Sequence, residues 1–101
     1  MPTFVMLTRV DPAALKSPRT LEDLERRAME SVKTHCPEVK WTASYAVLGP
    51  YDYVDVFEAP DIETAGKVST LIRTSGRAHS EVWAAIQWDR FKEIIHAMPA
   101  G

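Results

Sequence analysis

Hydrophobic alternation from Glu38 to Leu48, broken by Gly49-Pro50-Tyr51-Asp52 and resumed from Tyr53 to Glu58, constrains this chain more than any other feature. Val39, Trp41, Ala43, Tyr45 and Val47 fall on one side of an extended backbone, and Lys40, Thr42, Ser44, Ala46 and Leu48 on the other. Glycine and proline supply the turn, so the segment predicts a β-hairpin. A lone hairpin is marginal in water and needs further strands and a covering layer.

The flanking segments carry those signals. Thr3–Val10 is short, apolar and rich in strand formers, and Asp11-Pro12 closes it. Ser17 or Thr20 can cap a helix with Pro18 in its first turn, and Leu21, Leu24, Ala28, Val32 and Cys36 follow at helical spacing until Pro37 stops it. After Ala59-Pro60, Asp61 caps a second helix with the stripe Ala65, Val68, Leu71 and Ile72, ended by Thr74-Ser75-Gly76. Ala78–Trp88 reads as a last strand, and Asp89 as the cap of a short helix bearing Phe91, Ile94, Ile95 and Met98. The order β-α-β-β-α-β is the split βαβ pattern. It predicts an α+β, ferredoxin-like domain over residues 1–91, a four-stranded antiparallel sheet with both long helices on one face, followed by a terminal helix and tail over residues 92–101.

Charge and composition exclude several function classes. The net charge is −2 with signs interspersed, so no basic stripe exists to neutralise a row of phosphates, and no nucleic-acid partner is expected. No apolar run approaches the roughly 20 residues that span a bilayer, and the N-terminus lacks the basic start, apolar stretch and cleavage site of a secretory signal. Cys36 is the single cysteine, which rules out an internal disulfide and suits the cytoplasm.

An even-length turn sets Leu48 opposite Tyr53. On that register Trp41, Ala43, Tyr45 and Val47 join Val54 and Val56 beneath the helices, while Thr42, Ser44, Ala46 and Leu48 join Tyr53, Asp55 and Phe57 on the open face. In the last strand His79, Glu81, Trp83 and Ala85 oppose Val82, Ala84 and Ile86. The open face is then expected to show Tyr53, Phe57, Trp83 and one apolar pair from the first strand, either Phe4 and Met6 or Val5 and Leu7. Such a patch marks an interface, and a two-fold homodimer with sheets face to face would bury it. An arginine at Phe57 is expected to break that dimer.

Gly49-Pro50-Tyr51-Asp52-Tyr53-Val54, followed by Val56 and Glu58-Ala59-Pro60-Asp61, resembles the signature of the GYD domain family, whose Gly-x-Tyr-Asp-like turn is matched by Gly49, Tyr51 and Asp52. Met1-Pro2-Thr3-Phe4-Val5 is similar as well, and the resemblance covers about residues 1–91. It implies a dimeric α/β barrel made of two ferredoxin-like subunits. Related barrel families include cofactor-free monooxygenases, isomerases, a haem enzyme group and ligand sensors, so the likeness implies a fold and no single activity. The chain departs from the pattern at Asp55, where an apolar strand residue is expected.

Asp55 is therefore the first candidate for chemistry. A buried carboxyl with a raised pKa can serve as a general base or hold a polar group of a ligand, and it can equally be a structural hydrogen-bond acceptor. His79 is the second catalytic candidate. In a 4-1-3-2 strand order it lies two strand spacings, about 9–10 Å, from Asp55, so the two would meet only across a dimer. Tyr45, Tyr51, Asp52, Tyr53, Asp55 and Trp83 form the candidate ligand-binding set. Asp52 can instead accept backbone N–H groups, and Tyr51 can close the end of the barrel. His35, His79 and His96 have no metal-ligand spacing, and adjacent His35 and Cys36 cannot face one ion from a helix, so no metal is expected. No phosphate loop or hydrolase motif is present, and no cofactor is expected. The reading is a small-molecule-binding protein, non-enzymatic or regulatory; the alternative is a cofactor-independent monooxygenase or isomerase acting on a small aromatic or cyclic compound. A cavity of about 300 Å³ or more reached by Asp55 or Tyr45 would favour either over a pure assembly module.

Overall fold

The computed structural model describes all residues from Met1 to Gly101. Strand β1 (Thr3–Val10) leads through a short 3-10 turn into helix α1 (Pro18–His35); β2 (Lys40–Ala46) and β3 (Tyr53–Glu58) form the hairpin; α2 (Ile62–Ser75), β4 (Ala78–Ala85) and α3 (Trp88–His96) follow. The sheet has four strands in the order β2-β3-β1-β4, and every neighbouring pair is antiparallel. Asp61 caps α2 by accepting from the Thr64 amide. At α3 the cap is Gln87, which accepts from the Arg90 amide, and Asp89 falls inside the helix. The reason is that β4 stops at Ala85, so Ile86 and Gln87 make the corner that alternation alone read as strand.

Both long helices cover the face that carries Phe4, Met6 and Phe57. Phe57 is fully buried, stacked at 5.2 Å on Trp41 and 5.6 Å on Phe4. Val32 and Ala28 of α1 and Ala65, Val68 and Ile72 of α2 close over them. Each large apolar side chain buried there contributes about 1.5–3 kcal/mol. A second, smaller cluster joins Val10, Ala14 and Leu24 near the other end of α1. Gly76 lies where the two helices approach: a Cβ there would stand 2.6 Å from the Ile72 carbonyl oxygen and 3.4 Å from Ala28 Cβ.

The hairpin corrects the expected face assignment. Ala46, not Leu48, lies opposite Tyr53, which lengthens the turn by whole residue pairs and so keeps the expected grouping of Ser44 and Ala46 with Tyr53 and Asp55. That group faces the helices, however, and not the open side. A bulge at Thr42, between the pairs Trp41–Phe57 and Ala43–Val56, also turns Trp41 inward onto Phe57. The central strand decides the outcome: Phe4, Met6, Thr8 and Val10 alternate as buried residues, and Phe57, Asp55 and Tyr53 are the partners of the first three. Tyr53 and Phe57 thus leave the open face, and an arginine at Phe57 would strike the core. Trp83 and the pair Val5 and Leu7 remain on the open face, joined by Val54, Val56, Ala43 and Tyr45.

No residue of α3 is buried. The molecule accordingly measures 55 × 29 × 17 Å, with a radius of gyration of 15.6 Å. A compact domain of this length would have about 13 Å.

Candidate functional site: a cavity between helix α1 and the sheet

The two core clusters do not meet everywhere. Between them lies a cavity of about 230 Å³ under α1, lined by Leu24 and Ala28 from the helix and by Thr8, Trp41, Tyr53 and Asp55 from the strands. Ala28, Gly76 and Ala78 are too small to fill it. It is smaller than the roughly 300 Å³ of ordinary ligand pockets, yet both Asp55 and Tyr45 reach it.

Asp55 projects from β3 and is 9% exposed. Trp41 Nε1–H donates to Ser44 Oγ at 2.8 Å and lies 3.3 Å from Asp55 Oδ1. The bulge makes this possible, and Thr42 holds it by donating its hydroxyl to the Val56 carbonyl at 2.9 Å. Burial pushes the Asp55 carboxyl above its ordinary pKa, while the Ser44 and Trp41 hydrogen bonds pull the other way. Tyr53 donates its hydroxyl to the Leu21 carbonyl at 3.2 Å. Burial, then the charges of Glu25, Asp52 and Asp55, push that phenol up to about 12. Thr8 Oγ1 is buried with no hydrogen-bond partner. Glu25 is the only other ionisable carboxyl on the wall, and no lysine, arginine or histidine lines it.

The remaining candidates lie elsewhere. His79 is exposed on the opposite face of the sheet, paired in register with Arg9, so it does not meet Asp55 within the chain. Trp83 stands on that face opposite Val5, 52% exposed. Asp52 ties the hairpin turn to β1: its Oδ2 accepts the Val10 amide at 2.8 Å, and its own amide donates to the Thr8 carbonyl at 2.8 Å. Tyr51 donates its hydroxyl to the Glu81 carboxylate on β4, which raises the phenol pKa and lowers that of the acid. The Gly-x-Tyr-Asp turn is thus a staple across three strands. Tyr45, Tyr53 and Asp55 come together at the cavity; Tyr51, Asp52 and Trp83 do not line it. The residue reading missed Thr8, Trp41 and Ser44. Thr8 was legible as the one polar residue in the inward series Phe4, Met6, Thr8, Val10, whereas Trp41 depends on a bulge that alternation conceals.

Comparison with known proteins adds a family and a fold. A family model described as GYD domain matches residues 4–95, reaching into α3. A Thermus thermophilus protein named glutamine synthetase and cystathionine beta-lyase binding protein is 32% identical over 90 residues, spanning 85% of this chain and 90% of that one. Among solved structures, the crystal structure of a Thermus thermophilus protein superposes with a TM-score of 0.58 and 26% identity, over 86% of this chain and 95% of that one. The Mycobacterium tuberculosis leucine response regulatory protein gives a TM-score of 0.60 at 18% identity, covering 85% of this chain. The match spans only 51% of that regulator's length, so the likeness concerns the fold of one part of it.

Proposed function

This chain belongs to the GYD domain family, and from that premise we propose that it is a non-catalytic binding protein that pairs with a second copy through its open sheet face and docks on other proteins. The observation that carries the reading is the open face itself. Val5, Leu7, Val54 and Val56 form its centre, Tyr45 and Trp83 flank them at 62% and 52% exposure, and no helix of the chain covers them. The patch is apolar at the middle, with Arg9, His79 and Glu81 toward one end. Sheet-to-sheet pairing would close a dimeric α/β barrel. The named relative supports a protein partner, and a glutamine synthetase or a cystathionine beta-lyase is the first to test. A small molecule held in the cavity under α1 belongs to the same reading, as its regulatory input. The cytoplasm suits a chain whose lone thiol, Cys36, is buried.

The cofactor-independent enzyme is the weaker alternative. The two catalytic candidates do not share a site, since Asp55 lines the cavity and His79 faces the other side of the sheet.

Light scattering tests the pairing. The wild type is expected at twice the 11.4 kDa chain mass, and Val56→Glu at the single mass with unchanged circular dichroism. Surface plasmon resonance against the two purified enzymes of the source organism is expected to show saturable binding to at least one. A wild-type mass of one chain at micromolar concentration, or no binding to either enzyme, would overturn the corresponding half of the proposal.

A further inference from the structure

We propose that the cavity under α1 is a site for a small organic amine, with Asp55 receiving the ammonium group and the apolar wall enclosing the body. This rests on the reading that the chain binds small molecules, and it names the class. Size comes first. About 230 Å³ exceeds the roughly 150 Å³ that holds benzene, and falls below drug-sized pockets. The ligand is then one ring or a short aliphatic chain with a single polar head.

Charge selects the head. The cavity holds the Asp55 carboxyl inside and Glu25 on its helical wall, with no cation among its lining residues. A carboxylate removed from water without a counter-charge is costly, and an ammonium supplies the missing partner. An anionic ligand would meet two acids instead. Trp41 engages Asp55 Oδ1 and Ser44 also donates toward the carboxyl, and a carboxylate has acceptor positions left for a ligand beyond these two. An ammonium carries three N–H donors, and the unpartnered Thr8 hydroxyl, on the same inward face of the neighbouring strand, accepts a second of them. Trp41 and Tyr53 bring aromatic rings to the same wall, which favours a cation further.

Titration of the full-length, isotope-labelled chain with benzylamine, benzyl alcohol and phenylacetate tests this by NMR, read at the Trp41 indole N–H and the Thr8 amide. Benzylamine is expected to move both signals saturably and to bind at least about tenfold tighter than benzyl alcohol, as a charge-assisted hydrogen bond would give. Phenylacetate should move neither. Asp55→Asn should remove the preference for benzylamine over benzyl alcohol. Thr8→Val, which keeps the shape, should weaken benzylamine by about threefold to tenfold. Equal binding of the amine and the alcohol to the wild type would overturn the amine assignment and leave the small-molecule reading standing. If none of the three probes moves the cavity signals, both fall.

Discussion

Burial holds the Asp55 carboxyl above its ordinary pKa, even with Ser44 and Trp41 donating toward it. A raised folded pKa means that the unfolded chain releases this proton first. Stability is therefore full below about pH 4, the unfolded value, and is lost as pH rises through the folded pKa. Asp55→Asn should remove that decline, leaving the urea midpoint at pH 7 as high as wild type or higher; a marked fall would show that Asp55 works as a hydrogen-bonded anion. Phe57 belongs to the opposite case. Stacked between Phe4 and Trp41 with no exposed surface, it should cost about 3–5 kcal/mol on truncation to alanine, read by urea denaturation. Phe57→Arg should unfold the chain instead of separating two folded copies. The oddity of Asp55 was legible in the sequence, because a carboxylate between valines stands out. Its direction was not: alternation gives two faces, and only the neighbouring strand says which one the helices cover.

At the scale of elements, the bulge at Thr42 links strand geometry to the cavity. The extra residue lets Ala43 and Tyr45 face outward while Trp41 still turns inward to Phe57 and Asp55. Deleting Thr42 removes the extra residue, so plain alternation then sets Trp41 inward next to the outward Ala43. The Trp41–Phe57 stack should survive and the Thr42–Val56 hydrogen bond should go, with a loss of about 1 kcal/mol by urea denaturation and unchanged tryptophan emission. A red-shifted emission in the deletion variant would show that the extra residue is needed to hold Trp41 inward. Strand and helix existence was legible from the change of hydrophobic period along the chain. The end of β4 was not, because Ile86 continues the alternation in sequence although the backbone has already turned toward Gln87 and α3.

For the whole molecule, pairing and folding are coupled if two copies share the open face. Mass action then requires a melting temperature that depends on concentration, rising by a few degrees for a tenfold increase in protein. Scanning calorimetry over a hundredfold range should show the trend, and its absence would mean that the open face stays unpaired. The α+β class and strand order could be read from the succession of elements, and an apolar outer face was rightly expected there, although Val54 and Val56 furnish it where Tyr53 and Phe57 were expected.

Because no residue of α3 is buried and only Phe91 and Ile94 are half-buried, the core depends little on that helix. Selection can lengthen it, recharge it or exchange its exposed Ile95 without disturbing a buried neighbour. The rest of the chain meets the opposite constraint, since a single methyl at Gly76 would collide with the Ile72 carbonyl. One polypeptide thus joins a constrained chassis to a terminal helix whose sequence the core leaves largely free.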